Sequence, residues 1–149
     1  MIEKQDDDFL GVNIKGMMMT LIARWNEQMD SKREETEFAD IRPSDIRVFG
    51  QLRGRTVKLS VIHKEMGFSR QAAQQAVERL VERDLLKVEM VDGNKRDKMV
   101  SITEKGQELR TLAAQQIREI ENSCAEIIGE DGKETLRALL SQLLKANDK

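Results

Sequence analysis

The spacing of apolar residues changes abruptly near residue 85, and no other feature of the chain restricts its fold as much. Over residues 69–84, Ala73, Val77, Leu80 and Val81 recur at helical spacing, while Arg70, Gln71, Gln74, Gln75, Glu78, Arg79 and Glu82 fill the other side. Beyond that point the period drops to two. Residues 86–91 and 98–102 alternate apolar with polar side chains, and Asp92-Gly93-Asn94-Lys95-Arg96-Asp97 between them carries turn chemistry. A polar-faced helix followed at once by a hairpin is therefore predicted.

The residues upstream complete a unit. Ser60 is expected to cap a short helix that runs through Met66, with Ile62 and Met66 inward; Gly67 ends it, and Ser69 caps the next. Two helices joined by a Gly-containing turn make a helix-turn-helix, and the hairpin after the second makes it winged. Before it, residues 43–53 read as a helix with Pro43 in its first turn, Ile46, Phe49 and Leu52 as its buried stripe, and Gly54 as its stop. Thr56 to Leu59 is a short extended piece.

Both flanks are helical. Residues 9–30 read as one helix, with Leu10, Ile14, Met17, Met18, Leu21, Trp25 and Met29 three or four apart. Thr103 caps a long helix whose apolar seam is heptad-like from Ala113 to Ile127 and includes Cys124, read as a buried inert thiol. The pattern breaks over residues 129–132, and a last helix follows over residues 133–146 with Leu136, Leu139, Leu140, Leu143 and Leu144 on one side. The predicted class is mostly α with a small β-hairpin wing. It divides into an acidic leader and N-terminal helix (1–41), a winged helix-turn-helix lobe (42–105) and C-terminal helices (106–149).

Charge and composition narrow the chemistry. Residues 42–105 hold fourteen Lys and Arg against nine Asp and Glu, a net +5; the rest holds eleven against eighteen, a net −7. A cationic middle between acidic ends suits a module that binds a polyanion. With one His and one Cys, the chain lacks the ligands of a usual zinc site, and a nucleophilic triad would depend on His63 alone, a partly exposed helix residue. No metal, no cofactor and no enzymatic activity are expected. The longest apolar stretch, Met17 to Ala23, is too short to span a bilayer, and the acidic N-terminus is unlike a signal peptide. The expectation is a cytoplasmic protein without a membrane partner.

The major groove of double-stranded DNA admits one helix, and forked or mixed donor–acceptor side chains read its base edges. Arg70, Gln71, Gln74 and Gln75 are such side chains on the first two turns after the Ser69 cap, itself a candidate DNA contact, and Arg79 follows as a further candidate with Glu78 and Glu82 as alternative intrahelical partners. Lys95, Arg96 and Lys98 would bring the wing to phosphates or a minor groove. Lys58, Ser60 and Lys64 are further candidates for phosphate contact.

At this level of detail the chain resembles the MarR family of bacterial winged-helix transcription regulators. The resemblance rests on Leu59-Ser60, on Met66-Gly67-Phe68-Ser69-Arg70-Gln71, on the run from Val77 through Leu86, and on Val100-Ser101-Ile102-Thr103-Glu104-Lys105-Gly106. The wing departs from the family's Asp-x-Arg: Asn94-Lys95-Arg96 stands there, and Asn accepts a guanidinium hydrogen bond without charge assistance. The resemblance implies a homodimer joined by its terminal helices, binding a pseudo-palindromic operator, usually as a repressor. It also implies release by a small ligand, expected to be aromatic or anionic, near the first helix; Met18, Trp25 and Phe49 are the candidate contacts. The rival on the same fold is a protein-interaction or nucleoid-structuring module without operator preference.

Overall fold

The structure is a computed structural model that describes residues 1–91 and 94–148, with side chains throughout except at positions 66, 91 and 94–97. Its elements in chain order are α1 (Lys4–Val12), α2 (Ile14–Arg33), α3 (Pro43–Leu52), β1 (Val57–Lys58), α4 (Leu59–Met66), α5 (Arg70–Glu82), β2 (Leu86–Val91), β3 (Asn94–Ile102) and α6 (Glu104–Ala146). The fold is mostly helical with one small antiparallel sheet of order β1-β3-β2. It forms two compact units, residues 30–113 and residues 1–29 with 114–149. The first exceeds the expected 42–105 at both ends, because Phe38 and Ile41 before it and Leu109 after it join its apolar core.

Within residues 30–113, α3, α4, α5 and the sheet share that core, and Leu52, Ile62, Leu80, Leu85 and Val100 are almost fully buried. The α3 helix stops at two left-handed residues, Arg53 (φ 54°) and Gly54 (φ 72°). The Arg55 guanidinium closes its end by donating to the Leu52 and Gln51 carbonyls at 2.9 and 3.1 Å. The expected cap at Ser60 is not formed. β1 pairs with β3 through Val57 and Lys58, so α4 starts as soon as that pairing ends and Ser60 falls inside its first turn. The wing strand β3 begins at Asn94, four residues before the alternation suggested. Backbone pairing with β2 carries it through polar side chains that the period-two pattern could not mark.

The start of α6 is docked closely. Thr103 accepts the Gly106 N–H at 3.0 Å as the cap, and its own hydroxyl donates to the Asp84 carbonyl. A Cβ on Gly106 would lie 2.4 Å from the Leu85 carbonyl oxygen, so only glycine fits there.

The second unit holds α1, α2 as far as residue 29 and the remainder of α6. The single helix expected over residues 9–30 is two helices. Asn13 is extended (φ −71°, ψ 153°). Its side-chain oxygen accepts the Gly16 N–H at 2.7 Å, while its amide donates to the Leu10 carbonyl at 2.8 Å. An Asn cap thus interrupts an apolar stripe that runs across it unbroken in sequence. The predicted break in α6 lies at Gly129, whose φ of 81° and ψ of 161° suit glycine alone. The chain reverses there, so Arg137 in the second arm pairs with Glu121 in the first and with Glu134 at 3.0 Å. The Arg137 hydrogen bond holds Glu134 below the usual carboxylate range. Along the seam from Ala113 to Ile127, Ile120 is buried and Ala113 half-buried, while Ile117 and Ile127 are exposed; in the second arm Leu143 is 58% exposed. Cys124 is half-buried. Among the described residues, no helix is long and apolar enough to cross a membrane.

Candidate nucleic-acid interface

The turn that presents α5 is built from three residues. Gly67 takes a left-handed conformation (φ 69°) that ends α4, the half-buried Phe68 packs against the core, and Ser69 caps α5 by accepting the Ala72 N–H at 3.0 Å. Ala73, Ala76, Val77 and Leu80 then face inward. Val81, expected among them, lies one position beyond the buried stripe and is 38% exposed.

The outward side of α5 carries Arg70, Gln71, Gln74, Gln75 and Glu78, all exposed. Arg70 and Gln74 border a groove of about 370 Å³ with Leu59, Ser60 and His63 of α4 and Lys98 of β3. The structure therefore brings Lys98 of β3 to Arg70 and Gln74, one turn apart on α5 and far from it in sequence. Ser60, a candidate phosphate contact by sequence, joins them from α4 together with His63, which the sequence had not marked. Gln75 is on the other flank of α5, above a notch of about 90 Å³ that it shares with Ser44 and Asp45 of α3. Gln71 stands exposed between the two flanks. The Lys95 and Arg96 backbones belong to β3, but their side chains lie outside the described residues, as does the 92–93 segment.

Arg79 has a partner that neither sequence alternative named. Its Nε and Nη2 donate to the two carboxylate oxygens of Asp45 in α3, at 2.8 and 2.9 Å. The Asp45 side chain is 4% exposed and that of Arg79 34%. The hydrogen bond to Asp45 raises the Arg79 pKa, against a smaller opposing effect of desolvation. Arg79 thus serves the packing of α5 on α3 rather than standing free on the helix surface. Nearby cations are similarly engaged: Arg83 with Asp40, Arg47 with Asp30 at 3.2 Å, and Arg55 with Glu65 at 2.9 Å.

The candidate ligand contacts fall in different places. Phe49 is 4% exposed inside the core of residues 30–113, where its own helical stripe had placed it. Met18 is 38% exposed and Trp25 half-buried on α2.

Comparison with solved structures gives consistent matches. A MarR protein from Peptoclostridium difficile superposes with a TM-score of 0.74 at 17% identity, covering 98% of this chain and 92% of that one. FabT of Streptococcus pneumoniae, solved in complex with DNA, gives 0.72 at 13% identity over 89% and 93% of the two chains. A MarR-family regulator from Listeria monocytogenes, solved with a 26mer DNA, gives 0.72 at 15% over 91% and 89%. The chain has the MarR fold. By sequence it matches no family model and no curated protein, so the likeness is one of architecture. In this MarR-type lobe, α4 and α5 are the helix-turn-helix and β2 with β3 the wing.

Proposed function

We propose that the chain is a sequence-specific DNA-binding transcriptional regulator, acting as a homodimer on a pseudo-palindromic operator and repressing there. The α5 face carries this reading. Arg70, Gln71, Gln74 and Gln75 stand exposed on the first two turns of a capped helix, with Lys98 across the groove from Arg70 and Gln74. Side chains of this kind discriminate base edges in a major groove, while Lys98, with Lys95 and Arg96 further along the wing, would neutralise phosphates. Two neighbours of the same fold were solved on DNA.

The homodimer is supported by the apolar surface of the unit formed by residues 1–29 and 114–149. Phe9, Ile14, Ile127 and Leu143 are each more than half exposed. Large apolar patches left to water on a protein surface commonly mark an interaction site. A two-fold pair would set its α5 helices about one DNA turn apart, roughly 34 Å. Release by a small aromatic or anionic effector touching Met18 and Trp25 belongs to the same proposal.

Selection of bound duplexes from a random pool tests it. A recovered palindrome with half-sites about ten base pairs apart supports the regulator. A featureless bound pool supports the nucleoid-structuring or protein-interaction reading instead. Sedimentation of the free protein tests the dimer, and calorimetry with a panel of small anionic aromatics tests the effector.

A further inference from the structure

We propose that Arg79 is a positioning residue of α5, tethered by Asp45 of α3, and that the tether sets which row of α5 side chains faces DNA. This rests on the reading of α5 as the DNA-reading helix. On a helix, residues four apart share a row, so Gln71, Gln75 and Arg79 form one and Arg70, Gln74 and Glu78 the next. The core grips α5 through Val77 and Leu80 and, nearer its start, through Ala73 and Ala76, 1% and 4% exposed. The alanine methyl groups allow a close approach but resist little against rotation of the helix about its axis.

The Asp45 bond adds resistance to that of the buried Val77 and Leu80. A planar guanidinium on a carboxylate through two parallel bonds fixes direction as well as distance. It draws the row of Gln71, Gln75 and Arg79 toward α3, where Gln75 and Arg79 border one notch with Asp45. The neighbouring row is thereby turned to the groove that Arg70 and Gln74 share with Lys98. Arg83, just past the end of α5, is held to Asp40 and braces the same end.

A phosphate contact and a tether respond differently to substitution. A phosphate contact needs charge, which lysine keeps; the tether needs the fork, which lysine lacks. Asp45→Asn removes a negative charge from a protein proposed to bind a polyanion, so charge alone would tighten binding to any DNA. Loss of the tether weakens binding to the selected operator only.

The experiment measures wild type, Asp45→Asn, Arg79→Lys, Arg79→Gln and the double variant Asp45→Asn/Arg79→Gln on the selected operator and a scrambled duplex, over a salt series. Each variant is expected to lose about tenfold of the operator preference, the worth of one good base contact, with an unchanged salt slope. The double variant is expected to be no worse than either single one. Full preference in Arg79→Lys or in Asp45→Asn overturns the tether, as does a salt slope about one unit shallower in Arg79→Gln. Where a single variant fails to fold, the double variant, which leaves neither charge unpaired, decides by the same criterion. A wild type without preference for any duplex overturns the DNA-reading function, and the tether's role with it.

Discussion

Substituting Gly106 by Ala puts a methyl group where the first turn of α6 meets the start of β2. The new Cβ would lie 2.4 Å from the Leu85 carbonyl oxygen and 2.5 Å from Ile102 Cγ2. The Ile102 methyl can turn aside, but the Leu85 oxygen is backbone and already accepts the Thr103 N–H at 3.2 Å. Reaching an ordinary carbon–oxygen separation of about 3.3 Å requires α6 to retreat by roughly 0.9 Å. That retreat pulls the Thr103 bond apart. Overpacking of this kind costs about 1–3 kcal/mol. The lost hydrogen bond costs about 1 kcal/mol more, and the better helix propensity of Ala returns about 1 kcal/mol. The net expectation is a destabilisation of about 1–3 kcal/mol, or a melting temperature lower by roughly 3–10 °C for a chain of this size. Thermal melts followed by far-ultraviolet circular dichroism, at one protein concentration because association would shift the midpoint, measure it. A Gly106→Ala variant that melts at or above wild type would show that helix propensity outweighs the contact, and that α6 does not depend on this approach.

Four further outcomes are expected. Gln74→Ala relaxes selection at one operator position by about 1–3 kcal/mol, read by competition with duplexes altered at single base pairs; a loss equal on all sequences would assign Gln74 to the backbone. Lys98→Ala lowers the salt dependence of DNA binding by about one unit, and an unchanged slope removes Lys98 from the phosphate contacts. Asn13→Ala destabilises the start of α2 by about 1 kcal/mol, visible as faster amide exchange at Gly16 and Met17. Because the Arg137 bond lowers the Glu134 pKa, any stabilisation from that contact is present above the unfolded carboxylate pKa and fades as pH falls through the folded one. A carbon-detected titration should therefore place the Glu134 midpoint below that of an unpaired glutamate, and Arg137→Gln should raise it part of the way back, Lys133 still lowering it.

What could be read from sequence followed the range of the interaction. The Ser69 cap, the Gly67 turn and the polar face of α5 depend on neighbours within a turn or two, and each is present. The break at Asn13 is equally local, yet the unbroken run of Leu10, Ile14 and Met17 concealed it. The Arg79 partner lies 34 residues away on another helix, while the adjacent Glu78 and Glu82 offered plausible pairs that did not form. Phe49 follows the buried stripe that its spacing with Ile46 and Leu52 marked. The lobe boundaries moved because isolated apolar residues such as Phe38 and Leu109 join a core without any periodic signal of their own.

The position of Trp25 has a practical consequence. The chain has one Trp and no Tyr, and Trp25 belongs to the unit formed by residues 1–29 and 114–149. Indole emission therefore originates in that unit alone, while residues 30–113 emit almost nothing. Far-ultraviolet ellipticity sums the helices of both. Denaturation recorded by the two signals gives coincident curves when the units melt together and separate curves when the lobe comes apart on its own. The wild-type chain thus carries a one-unit optical reporter without any engineered label.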